Sequence, residues 1–250
     1  MSPISVCLIA FLFIFSAAVA GMVIKERLPE HLLSDESQAI IKAARSVVVG
    51  LAALTLGLLI ATAKSSFDAK ETELKDSAAK MIALNRLLGK YGPDSAKART
   101  ALRQVAQSGI GVIEKIGREG MNHEVAGGEG IDRLLTELME LPERNPGQAW
   151  IKTSALSLGN DISISRWKIY QGSSSTVSPL FLSVLVFWLM TIFFSLGLIA
   201  PINASVICAL FTAALSMTGA ILLTLEMDQP YGGLIQMSPE PLKMALKQFR

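Results

Sequence analysis

Residues 179–225 read PLFLSVLVFWLMTIFFSLGLIAPINASVICALFTAALSMTGAILLTL, and the whole interval between Lys168 and Glu226 holds no charged side chain. A helix needs roughly 20 apolar residues to cross the hydrocarbon core of a bilayer, so this interval is too long for one crossing. Pro201-Ile202-Asn203 falls near the middle of its apolar part, where the chain must reverse. The reading is a helical hairpin that crosses, turns and crosses back. Inside hydrocarbon every backbone N–H and C=O must be paired within the segment, which makes helices the default. The chain is therefore an integral membrane protein.

Two more uncharged runs lie upstream, Ile4 to Ile24 and Ser46 to Ala63. Each is long enough to span. The first has a rival reading, because Ala18-Val19-Ala20 before Gly21 looks like a signal-peptidase site. No Lys or Arg precedes its apolar core, so the charged start of a signal peptide is missing and a retained helix is favoured. The predicted fold is an all-α membrane protein with four transmembrane helices in two hairpins, flanking a cytosolic antiparallel helical bundle. The divisions are residues 1–63 for the first two spans, 64–178 for the insert, 179–226 for the second hairpin and 227–250 for a short tail.

The insert reads as helical throughout. Phe67 to Leu88 is rich in Ala, Lys, Glu and Leu, all good helix formers. Leu74, Ala78, Met81, Ile82 and Leu88 fall near one face, with Asn85 the polar exception. The period continues from the second apolar run without a breaker, so one long helix should leave the membrane and project into water. Tyr91-Gly92-Pro93-Asp94 ends it, since Gly terminates a helix and Pro suits the first turn of the next. A second helix runs from about Pro93 to Arg118, a Gly-containing loop covers His123 to Gly130, and an amphipathic helix covers Ile131 to Leu141. A last helix follows Pro146 toward Tyr170. Short connections make such helices antiparallel neighbours. Lys and Arg near the membrane ends set orientation. Lys64, Lys70, Lys75, Arg166, Lys168, Lys243, Lys247 and Arg250 flank the insert side, against Lys25, Arg27, Lys42 and Arg45 opposite. This predicts that the insert and both termini are cytosolic.

Composition excludes much else. The chain is 51% hydrophobic and 18% charged, where an ordinary soluble domain has about a quarter of its residues charged. A net charge of +2 gives no pull toward nucleic acid. Cys7 and Cys208 sit in apolar runs, where cysteines pack inertly, and His31 and His123 lie far apart in polar segments. No His/Cys/Asp/Glu cluster has metal-ligand spacing. Gly127-Gly128-Glu129-Gly130 has no preceding strand and no following Lys-Ser/Thr, so it is not a phosphate loop. Ser173-Ser174-Ser175-Thr176 has no His or Lys partner nearby and reads as a linker. With no catalytic constellation, the chain is not expected to be an enzyme.

Candidate sites follow from the spans. No Lys, Arg, Asp or Glu lies within any apolar run, which argues against a proton-coupled carrier. In the second run Ala53, Gly57 and Ala61 recur every fourth residue and share a helical face; small residues let helices approach closely in lipid. Another face, Leu51, Leu54 and Leu58, can line a narrow hydrophobic constriction that gates by dewetting. The insert is electrostatically lopsided. Basic residues dominate Lys80 to Arg103 and acids dominate Glu114 to Glu143. This is either a basic helix packed beside an acidic one or a lining that concentrates anions. Glu226 and Asp228 end the fourth run, where the negative end of the helix dipole repels them. The favoured partners are Arg99 and Arg166, which would couple the insert to the membrane hairpin. The alternative is a metal site, with Ca²⁺ the cation such oxygen ligands suit.

Phe67-Asp68 after the second span, Tyr91-Gly92-Pro93 followed by Arg99, Pro201-Ile202-Asn203 between the last spans, and Glu226-Met227-Asp228-Gln229-Pro230-Tyr231-Gly232-Gly233 after them together resemble a bacterial membrane family of unknown function labelled bestrophin-like. The resemblance covers nearly the whole chain. Bestrophins are pentameric anion channels with paired spans around a large cytosolic helical insert; their second span lines the pore, and an acidic stretch after the last span binds calcium. The resemblance implies a homo-oligomer in the bacterial inner membrane, by analogy a pentamer, embedded in lipid and conducting small inorganic anions. Two departures stand out: the second span has no aromatic triplet, and the acidic stretch holds only Glu226 and Asp228. The rival reading is a non-conducting scaffold or sensor whose insert docks a partner protein.

Overall fold

The computed structural model describes residues 2–27, 35–119, 129–171, 178–229, 232–233 and 235–249. The described residues form α1 (Pro3–Arg27), α2 (Asp35–Tyr91), a 3-10 turn (Pro93–Ser95), α3 (Ala96–Glu119), α4 (Glu129–Met139), α5 (Pro146–Gln171), α6 (Pro179–Ile199), α7 (Ala204–Asp228) and α8 (Glu240–Lys247). The protein is all-helical, and α1, α2, α6 and α7 are long and apolar enough to cross a membrane. The expected loop at His123 to Gly130 lies largely outside the described residues, and its last two residues, Glu129 and Gly130, already belong to α4. The Ser173–Thr176 linker also lies outside them.

Helix α2 is 57 residues long, about 86 Å at 1.5 Å per residue. No proline interrupts residues 35–91, so the apolar run passes into the charged extension without a break. Its end is enforced locally. Gly92 has φ +110°, a conformation that side chains with a Cβ avoid, and Pro93 starts the 3-10 turn. Buried Ser95 ties this corner by donating its hydroxyl to Leu88 O at 2.6 Å and Gly92 O at 2.7 Å. The Tyr91 hydroxyl donates to Pro142 O. Burial pushes the Tyr91 phenol above its ordinary range, with Lys152 opposing and Asp94 adding to the rise.

The chain divides into two compact units, residues 1–66 with 175–228 and residues 67–174 with 229–250, so that α2 contributes to both. In the first unit α1 packs along α6 and α7. Its apolar core includes Ile14, Ala18, Leu185, Phe193, Ala214 and Ile221. The α1–α6 contact is backbone to backbone. A Cβ on Gly21 would lie 2.3 Å from Phe194 O, and one on Gly197 would lie 2.1 Å from Ala18 O. Lys25, one turn further on, donates to Ile199 O at 3.3 Å and Ala200 O at 2.9 Å. The start of α1, Val6 to Phe13, lines a groove with the start of α6, Pro179 to Met190, and the two helices also meet at their ends, so α1 and α6 run parallel. Lys25 thereby satisfies carbonyls that a helix end leaves without intrahelical partners. The reversal after α6 is closed by Asn203, whose Oδ1 accepts the Val206 N–H at 2.8 Å as an N-cap of α7. Phe211 of α7 meets Phe11 and Phe15 edge-on, at centroid distances of 5.3 and 5.5 Å.

The second unit gathers the extension of α2 with α3, α4, α5 and α8 around Leu84, Leu88, Leu102, Leu134, Leu138 and Ile162. The C-terminal segment, read from sequence as a short tail, is built into this bundle. Met237, Leu242, Ala245 and Phe249 are buried in its core, and α8 packs on α3. Arg103 donates to Phe249 O. The polar exception Asn85 donates to Gln248 O at 3.4 Å. The ion pairs, such as Lys243–Glu114 at 2.9 Å and Arg144–Asp94 at 3.0 Å, lie at the bundle surface, where each is worth only about 0–1 kcal/mol.

Candidate functional site

Within its own chain the membrane span of α2 is nearly uncovered. In its most apolar window only 11% is buried, against 33% for α1 and 28% for α6. Ala52 and Ala63 are its buried residues, and Ala52 joins the apolar core with Val48, Leu56 and Leu59 partly buried against it. Leu51, Leu54 and Leu58 are 46%, 73% and 65% exposed. Ala53, Gly57 and Ala61 are exposed too, and a Cβ on Gly57 would meet nothing within 4 Å. The small-residue stripe that is closed inside the chain is the Ala18, Gly21 and Gly197 contact between α1 and α6. Sequence reading passed over it because its two halves are far apart in the chain.

The four residues expected to couple insert and hairpin fall in both units. Arg99, on α3, donates its Nε to Asn85 Oδ1 at 3.2 Å, which joins it to the network holding the C-terminal segment. Arg166, on α5, donates to Ser108 Oγ at 3.4 Å. Glu226 and Asp228, at the end of α7, are 2% and 1% exposed. Carboxylates taken so far out of water need compensation, and each of the two is engaged in an interaction.

A calcium ion at Glu226 and Asp228 would need donors beyond these two carboxylates. Ca²⁺ takes six to eight oxygen ligands, drawn from carboxylates, carbonyls and water. Among the described residues no group of three or more His, Cys, Asp or Glu comes together, and Glu226 and Asp228 are a pair.

A family model described as the bestrophin-like domain matches residues 12–242. The chain belongs to the bestrophin-like family. No curated protein matches it. Among solved structures, this bestrophin-like chain is similar to a variant of a bacterial bestrophin homologue from Klebsiella pneumoniae. The TM-score is 0.70 at 12% identity, covering 100% of this chain and 97% of the other. A second variant of that homologue gives a TM-score of 0.68 at 13% identity, with 97% of each chain covered. A structure described as a membrane protein gives 0.68 at 13% identity, over 97% of this chain and 96% of that one. At such identities the likeness is one of fold.

Proposed function

We propose that this bestrophin-like protein is one subunit of a homo-oligomeric ion channel that conducts small anions, with the membrane span of α2 lining the pore. The observation that carries the reading is the sparsely covered α2 span, whose Leu51, Leu54 and Leu58 face stays exposed among the described residues. A span that packs one edge on the core shared with α1, α6 and α7 and keeps another face open suits a ring of copies in which the open faces meet at a common axis. A constriction of leucines in that position excludes water and gates by dewetting. The adjacent Ala53, Gly57 and Ala61 face is proposed as a close-packing contact between copies. By resemblance the ring is a pentamer, set in the bacterial inner membrane with the bundle and both termini in the cytosol.

The test is purified protein in planar bilayers. Anion-selective current is expected, and Leu54→Asn should raise conductance by wetting the constriction. Absence of selective current across salt, pH and calcium conditions would remove the channel and favour the non-conducting scaffold. No calcium site is proposed at Glu226 and Asp228. Added calcium should leave the melting temperature unchanged, and a calcium-dependent rise abolished in Glu226→Gln/Asp228→Asn would reverse that assignment.

A further inference from the structure

The core of the helical bundle is not fully closed. Leu74 and Met81 of α2, Val105 and Val112 of α3, Ile162 of α5 and Leu242 of α8 wall a cavity of about 40 Å³ that opens to the surface. Two polar side chains share the lining, Ser77 and Arg166, and no acidic residue does. Ser77 is 4% exposed, and among the described residues its hydroxyl has no hydrogen-bond partner. A buried hydroxyl left so is costly. A helical serine or threonine commonly turns back on the carbonyl four residues earlier, as Thr72 does with Asp68 O at 2.8 Å. Ser77 makes no such bond and lines the cavity instead.

Register brings the two polar groups together. Lys80 pairs with Asp161 at 3.8 Å and Lys168 with Glu73 at 3.6 Å, so α2 and α5 run antiparallel with Ser77 opposite Ile164. Arg166 is then only about 3 Å further along the axis, at 1.5 Å per residue. The Arg99–Asn85 hydrogen bond sets α3 against α2 in the same way and puts Ser77 level with Gln107, next to Ser108. Ser108 donates its hydroxyl to Val105 O at 2.9 Å and accepts from Arg166 Nη1 at 3.4 Å. Arg166 is itself half-buried, so its guanidinium stands at the mouth of the cavity and the Ser77 hydroxyl within it.

We propose that this cavity binds a small carboxylate with a short alkyl tail. The head accepts hydrogen bonds from Arg166 and Ser77, and the tail lies among the aliphatic walls. The site stands apart from the channel reading. Charge decides the head: the one ionised group in the lining is a cation, and its planar fork matches a carboxylate in two parallel bonds. Volume decides the tail: a water-sized group needs about 10–15 Å³, so the cavity seats about three or four carbons. Water molecules in its place would each need two to four polar partners, and apart from Ser77 and Arg166 the wall offers only apolar side chains and Gly109. A bare inorganic anion would leave the aliphatic part unfilled.

The experiment is thermal unfolding and titration calorimetry of the full chain in micelles with sodium pentanoate. Acetate, which lacks the tail, and n-butylamine, which carries the same tail on a cation, are the comparison probes. Pentanoate should raise the melting temperature saturably. Acetate should bind at least roughly tenfold more weakly, for the loss of three buried methylenes, and n-butylamine should not bind measurably. Ser77→Ala should leave the unliganded melting temperature unchanged or raised, since that hydroxyl gives up no partner, and should weaken pentanoate about threefold. Arg166→Gln should weaken it about tenfold or more, and Arg166→Lys by less. No saturable shift with pentanoate overturns the proposal. So does acetate binding as well as pentanoate, which would reduce the site to an anion on a surface arginine. A shift that persists in full in both Ser77→Ala and Arg166→Gln also overturns it and traces the effect to the micelle. Arg166→Gln also loses the contact with Ser108, so Ser77→Ala reads the site on a fold that loses none.

Discussion

Replacing Gly197 with alanine tests the packing of the membrane unit most directly. A Cβ there would sit 2.1 Å from Ala18 O, 3.0 Å from Met22 N and 3.1 Å from Ala18 C. All three are backbone atoms, so no rotamer change relieves the clash. Ordinary contact begins near 3.4 Å, so α1 and α6 must part by about 1 Å. That would loosen the Lys25 hydrogen bonds to Ile199 O and Ala200 O and leave gaps along the core that includes Ile14 and Phe193. Overpacking of this kind costs roughly 1–3 kcal/mol. The gain in helix propensity from Gly to Ala, about 1 kcal/mol in water, offsets part of it, so a net loss of up to about 2 kcal/mol is expected. Gly21→Ala should cost a similar amount, because its Cβ would lie 2.3 Å from Phe194 O. The double variant should cost less than the sum, since one separation of the helices makes room for both. Gly57→Ala is the control: with nothing within 4 Å, it should leave single-chain stability unchanged or raised. The assay is equilibrium unfolding in mixed micelles. A Gly197→Ala protein as stable as the parent, with Lys25→Ala equally silent, would refute the close parallel contact.

Tyr91→Phe removes a buried donor to Pro142 O and should cost about 1 kcal/mol near neutral pH. Because burial raises the folded-state pKa of Tyr91, the unfolded chain loses this proton first as pH climbs. The stabilising contribution is therefore full below the unfolded value near 10 and fades as pH rises through the folded one, so parent and variant should converge in alkaline unfolding; a gap constant from pH 8 to 11 would contradict the assignment. Phe249→Ala, at a side chain 3% exposed in the bundle core, should destabilise the protein by about 3–5 kcal/mol. A cost under 1 kcal/mol would mean that the C-terminal segment is the loose tail its sequence suggests.

Much of this fold was legible in the order of the residues. Four uncharged runs declare four membrane-length helices, because hydrocarbon tolerates neither charge nor unpaired backbone. Tyr91-Gly92-Pro93 and Pro201-Ile202-Asn203 declare two breaks, because Gly and Pro act on the backbone locally. Family membership was legible for the same reason, in motifs whose order survives in the chain. What the sequence leaves undecided depends on pairs distant in the chain. Gly21 and Gly197 are ordinary helix residues until α1 and α6 lie parallel with their backbones in contact. Asn85 is an outlier on an apolar face until Arg99 and the Gln248 carbonyl stand beside it. Phe249 and Leu242 belong to a polar tail until α8 folds back on α3. The Leu51, Leu54 and Leu58 face reads as one more apolar stripe that a core could use. Tertiary structure alone decides that it stays exposed among the described residues, because burial is a property of what the rest of the chain covers.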